Sequence, residues 1–81
     1  METGFVLFSL KPGKKKDFIL RIRRVKNVKK ARLVLGNWDA IAEVEAEDVK
    51  ALERVFFNRI DKIPGIANSR LYIKACPRTR K

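Results

Sequence analysis

The second half of this chain repeats the first at a fixed spacing. Arg24-Val25-Lys26-Asn27-Val28 followed by Ala31-Arg32-Leu33 returns as Lys62-Ile63-Pro64-Gly65-Ile66 followed by Ser69-Arg70-Leu71, and Val25 and Ile63 are 38 residues apart. Each copy reads as the end of an amphipathic helix, a tight turn and a strand. A unit of that size cannot bury its apolar face alone, so the two copies must pack together. The expected result is two βαβ units joined in one sheet. In 81 residues this leaves one domain and no room for a separate DNA-reading or catalytic domain, which places function on the sheet, its loops or its partner surfaces.

Local patterns fill in the units. Phe5-Val6-Leu7-Phe8-Ser9-Leu10 is a nearly continuous apolar run and predicts a first, central strand buried on both faces. Lys11-Pro12-Gly13 breaks it. A helix is expected from about Lys14 to Val25, with Phe18, Ile19, Ile22 and Val25 on one stripe and Lys14, Asp17, Arg21 and Arg24 toward water. Val28 to Leu35 reads as the second strand and Gly36-Asn37-Trp38-Asp39 as a hairpin loop. In the third strand, Asp39 to Glu45, Ala40, Ala42 and Val44 alternate with Ile41, Glu43 and Glu45. Asp48 is the expected N-cap of a second helix, whose buried stripe is Val49, Leu52, Phe56, Ile60 and Ile63. Pro64-Gly65 ends it, and Ile66 to Ala75 forms the fourth strand, with Leu71 and Ile73 opposite Arg70 and Tyr72.

The order βαββαβ is the split arrangement of the ferredoxin-like fold: an α+β domain with a four-stranded antiparallel sheet and both helices on one face. One domain spans residues 1–81, with its core at about 4–75 and a basic tail at 76–81. Both sides of the first strand are apolar, so Phe5, Val6, Leu7, Phe8 and Leu10 are the expected contact with a second copy in a dimeric α/β sandwich. Burial of several hundred Å² there, at about 25 cal/mol per Å², would support so small a domain.

Composition excludes several classes. Cys76 is the only cysteine and histidine is absent, which rules out an internal disulfide and a closed zinc site and removes the usual general base of a hydrolase. No nucleophile–base pair or phosphate-cradling glycine loop is visible, so the chain reads as non-enzymatic, without catalytic residues, bound metal or cofactor. With no long apolar run and no signal-peptide pattern, a cytoplasmic location is expected. The formal charge is +11; residues 1–40 hold 11 basic and 3 acidic side chains, residues 41–81 hold 9 and 6. The dense stretch from Lys11 to Lys30 has two readings: a solvated, solubilising helix face, or phosphate contacts of a small basic nucleic-acid-binding protein, which is the alternative function. No RNP-type aromatic motif accompanies it, and direct nucleic-acid binding is the less favoured of the two.

The strongest local motif is Leu33-Val34-Leu35-Gly36-Asn37-Trp38-Asp39. Gly36 can take a positive φ or let a ligand come close, and Asp39 can accept from backbone N–H groups or from an ammonium. Gly36-x-x-Asp39 after an apolar strand, Asp48 opening a helix, Ile63-Pro64-Gly65-Ile66, and Ser69-Arg70 leading into the last strand together resemble the effector-binding (RAM) domain of the leucine-responsive regulator/AsnC (Lrp/AsnC) transcription-factor family. The resemblance runs from Phe5 to Ala75. Family members that regulate transcription carry a helix-turn-helix domain before this module, and here the module begins within a few residues of Met1, so a stand-alone version is implied.

The resemblance further implies dimers packed sheet to sheet, often assembled into octamers or other rings, with a free amino acid as effector between neighbouring dimers. It also implies possible hetero-assembly with full-length regulators of the family. Carried over residue by residue, the ligand-binding set is Gly36 and Asp39 with Asn37 and Trp38 as loop neighbours, and Ser69 as a small hydroxyl before the last strand. Leu71 departs from the pattern, since many members have threonine there. A zwitterion needs an ammonium acceptor, carboxylate donors and an apolar wall. Asp39, the amides around Gly36, and Leu33, Trp38 and Leu71 are the candidates for those three roles. Trp38 has an equal reading as a packing residue between dimers, and Arg32 and Arg70, equivalent in the two repeats, as carboxylate-holding or solvated side chains.

Overall fold

Four short strands pair edge to edge in the computed structural model, which describes residues 1–74. They are β1 (Glu2–Leu10), β2 (Val28–Leu33), β3 (Ala40–Ala46) and β4 (Ile66–Ile73), joined by α1 (Lys15–Ile22) and by α2 (Val49–Val55), which runs on into a π-helical turn, Phe56–Ile60. The sheet is antiparallel throughout, in the order β2-β3-β1-β4. This is the expected ferredoxin-like arrangement. The basic tail at 76–81 and Ala75, the expected end of the last strand, lie outside the described residues.

Period-two alternation decides which side chains meet the helices. Gly4, Val6, Phe8 and Leu10 of β1 and Ala40, Ala42, Val44 and Ala46 of β3 are buried, while their neighbours along each strand are half-exposed. The small side chains of β3 let the helices approach, and Phe18, Ile19, Ile22, Leu52, Phe56 and Ile60 close the core. Phe8 and Phe18 meet with ring centroids 4.7 Å apart and tilted by 60°. Val6 and Phe8 are 0% exposed and Leu10 8%, so these three belong to the subunit's own interior. That corrects the expected contact set: of its five residues, the uncovered face presents Phe5 and Leu7. A continuous apolar run conceals this, because only the helix positions tell which alternate residues face inward.

The internal repeat returns in matching backbone bonds at its two turns. Val25 N donates to Ile22 O at 3.2 Å and Ile63 N to Ile60 O at 3.1 Å; Glu45 N donates to Asn27 O at 2.9 Å and Lys11 N to Gly65 O at 2.8 Å. The strands that follow start at Val28 and Ile66, the same 38 residues apart. The helices, however, start after Lys14 and Asp48, only 34 apart, so the second copy gains four residues inside its helix. The gain is visible: α1 has 8 residues, whereas α2 and the π turn together run from Val49 to Ile60.

Asp61 N donates to Phe56 O at 2.7 Å, the i→i+5 bond of the wide turn. Leu52, Phe56 and Ile60 are spaced by four, more than the 3.6 of an α-helix, and the widened turn keeps all three buried. The Asp48 cap forms as expected, its side chain accepting from Ala51 N at 2.8 Å. Val49, expected in the buried stripe, is 40% exposed. The first helix ends at Ile22 rather than Val25, because Arg24 N and Val25 N turn back to Arg21 O and Ile22 O.

Ile22 is 0% exposed and Leu20, two positions away, is 60% exposed. Trimming Ile22 to Val is expected to lower the free energy of unfolding by about 0.5–1.5 kcal/mol. Leu20→Ala should leave it almost unchanged, and urea unfolding midpoints of the two variants check both.

Candidate functional site

The link from β2 to β3 is a tight loop closed at its base by Val34 N donating to Asp39 O at 2.9 Å. Gly36 has φ +129°, a conformation that favours glycine, and the space where a Cβ would point is open. β2 stops at Leu33, two residues before the expected end, so Val34 and Leu35 belong to the loop. Leu35 is 98% exposed and Leu33 44%, while Trp38 and Asp39 are half-buried. Leu35 was not among the sequence candidates; its place in an apparent strand hid it.

Asp39 holds this loop to the rest of the sheet. Pairing of β1 with β3 ends at Phe8 and Ala40. Beyond that point Asp39 N donates to Phe8 O at 2.7 Å and the Asp39 Oδ2 atom accepts from Leu10 N at 2.8 Å, so a side chain continues what the backbone ladder leaves off. The Lys15 ammonium lies 3.8 Å from Asp39 Oδ1, at a partly exposed position where such a pair contributes little. Of the two readings of Asp39, the structure supplies the backbone N–H partner directly and puts the chain's own ammonium beside the other oxygen.

The other two candidates stand apart from the loop. Ser69 pairs with Phe8 across β1 from Ala40, and its hydroxyl donates to Asp61 Oδ1 at 2.7 Å. It borders a cleft of about 470 Å³ that also meets Phe56, Phe57 and Ile63. Leu71 pairs with Val6 and packs against the core, its Cδ1 3.2 Å from where a Cβ on Gly4 would sit. Within one subunit the structure thus gathers Leu33, Gly36, Asn37, Trp38 and Asp39, and separates Ser69 and Leu71 from them. Strand parity explains Leu71, whose even spacing from Ser69 sends both to the helix side of β4.

The uncovered sheet face carries two rows across the strands. One runs Arg32, Ile41, Leu7, Arg70 and the next Lys30, Glu43, Phe5, Tyr72. Phe5, Leu7 and Ile41 sit at the centre with Glu43, the β2 edge carries Lys30 and Arg32, and the β4 edge carries Arg70 and Tyr72. Phe5 and Ile41 border a shallow depression of about 150 Å³ with Lys30, Arg32 and Glu43. Arg32 and Arg70 make no ion pair among the described residues.

This geometry has known counterparts. The model of the Lrp/AsnC ligand binding domain matches residues 3–74, and the chain belongs to that family, one of regulatory ligand-binding domains rather than of enzymes. The proline dehydrogenase transcriptional activator of Rhizobium radiobacter is 23% identical over 57 residues, 70% of this chain and 36% of that protein, so the chain spans about a third of the curated relative it matches. Among solved structures, FFRP-DM1 is 29% identical with a TM-score of 0.87, covering 93% of this chain and 100% of its own. The transcriptional regulator NMB0573 of Neisseria meningitidis, solved with L-Met, shares the fold at 15% identity and a TM-score of 0.82, over 98% of this chain and 53% of its own.

Replacing Asp39 by Ala leaves the Leu10 amide without its acceptor and is expected to lower stability by about 1–3 kcal/mol. Asp39→Asn keeps an acceptor oxygen in place and should retain most of that stability, which a urea titration of the two variants measures.

Proposed function

We propose that this regulatory domain is an amino-acid-responsive assembly module. Two copies pack through their uncovered sheet faces, and a free amino acid binds against the β2–β3 loop where subunits meet. The observation that carries the reading is that the loop is one half of a site. It offers an open approach at Gly36, a half-buried Trp38, exposed Leu33 and Leu35 and a carboxylate whose one close cation, Lys15, is itself partly exposed. Exposed leucines on a tight turn gain from a covering surface, and a neighbouring subunit with a ligand between would provide it. The L-Met held by the N. meningitidis regulator supports an amino acid as the ligand class.

In this reading Phe5, Leu7, Ile41 and Tyr72 form the centre of the dimer contact, and the loop contacts build a larger ring. The ligand then acts by mass action, favouring the assembly that completes its site. Co-assembly with full-length regulators of the same family, in the cytoplasm, would pass that change to DNA without this chain touching it.

Light scattering is expected to give the mass of a dimer or a multiple of it, and Leu7→Glu to reduce it to a single subunit. A thermal-shift screen of the twenty amino acids should single out one or a few that raise the melting temperature or change the mass. Asp39→Asn should remove that response while leaving the dimer mass intact, because it removes the charge and keeps the Leu10 bond. A lone wild-type subunit in dilute solution, or indifference to every amino acid, would refute the assembly or the effector half of the proposal respectively.

A further inference from the structure

At the end of the sheet away from the β2–β3 loop, where Glu2 pairs with Ala46, a cleft of about 540 Å³ opens between the second helix and the α1–β2 turn. Its rim carries Lys26, Arg54, Arg59 and Asn58, and its floor is Ala51 and Val55. Positions five apart on an α-helix point about 140° away from each other, so Arg54 and Arg59 would not ordinarily share a face. The π turn that begins at Phe56 changes this. Closing i→i+5, it draws residues five apart toward one side, and both guanidinium-bearing residues line the same cleft. On the facing wall the turn holding Lys26 is pinned, since Asn27 Nδ2 donates to Glu45 O at 2.8 Å and Glu45 N donates back to Asn27 O.

Among the described residues, the cations in this cleft have no protein partners. The ion pairs among the described residues are Lys15–Asp39, Arg21–Asp17 and Lys29–Glu45, and no side-chain hydrogen bond there involves Lys26, Arg54, Arg59 or Asn58. Glu47 is the one carboxylate in the lining, against three side-chain cations. Like charges converging on a concave surface repel one another, and a multivalent anion relieves the repulsion.

We propose that this cleft is a second ligand site, independent of the amino-acid reading of the loop, and that it takes a small phosphate-bearing anion of the polyphosphate or nucleotide class. Two planar guanidinium forks and an ammonium offer more donors and charge than a single carboxylate uses, and they match phosphate oxygens two at a time. The apolar floor of Ala51 and Val55 accommodates an uncharged portion such as a base or sugar.

Amide-resolved NMR of the full 81-residue chain, titrated at near-physiological salt with pyrophosphate, ATP and a short single-stranded oligonucleotide, tests the assignment. Saturable shifts centred on Lys26, Asn27, Ala51 and Asn58 are expected with pyrophosphate or ATP, and tighter binding of ATP would assign the base to the floor. Arg54→Gln combined with Arg59→Gln should weaken binding roughly tenfold or more, about 1.4 kcal/mol. A charge-matched control, Lys16→Gln with Arg21→Gln on the exposed part of α1, should change it by less than about twofold. Equal weakening in both double variants, shifts spread along α1, no saturable shift, or oligonucleotide binding that exceeds that of ATP and survives the Arg54/Arg59 change would each overturn it. None of these substitutions touches the β2–β3 loop, so the amino-acid response stands or falls separately.

Discussion

Strand β1 is apolar on both sides, and two short helices can cover only one of them. From that mismatch most of the molecule follows. Val6, Phe8 and Leu10 are satisfied by Phe18, Ile22 and Leu52 above them, while Phe5 and Leu7 look the other way with Ile41 and Tyr72 and, among the described residues, have no helix over them. Cations at both edges of that face keep it from being a wholly greasy surface. A domain of this size has little stability to spare, so association through that face would contribute to folding as well as to quaternary structure.

Where the sequence was legible, the reason was local. Asp48 could be placed at a helix start because its short acceptor side chain suits that position, and Val25 and Ile63 could be aligned because each precedes a turn that the structure closes with the same backbone bond. Where reading failed, the deciding contact was remote. Nothing near Val6 or Phe8 in the chain says that helices will lie above them rather than a second molecule. Leu71 looks like a pocket wall until pairing with Val6 turns it inward, and Leu35 looks like strand until β2 stops at Leu33. The π turn left a trace, the spacing by four of Leu52, Phe56 and Ile60, but an α-helix with a drifting stripe reads almost identically.

Asp39 has a structural role that would also suit the proposed ligand site. Its backbone closes the loop, one oxygen extends the β1 edge to Leu10, and the other faces Lys15 at the surface. A carboxylate already held in place needs little reordering to meet an incoming ammonium, which is the advantage of a site built on a pinned loop. The same pinning couples the loop to the end of the central strand, so a ligand pressed against Asp39 acts on the strand whose other side carries the uncovered apolar row. In the proposed reading, one side chain would join ligand and assembly.

The four additional residues in the second helix do more than lengthen it. A fold made of near-duplicates has an approximate internal twofold, and under such a symmetry whatever evolved at one pole would tend to be mirrored at the other. The extra turn breaks that equivalence. It shapes one pole as a recess lined by Arg54 and Arg59, while the other pole carries the leucine-bearing hairpin, so that under the two proposals each would answer to a separate chemical signal.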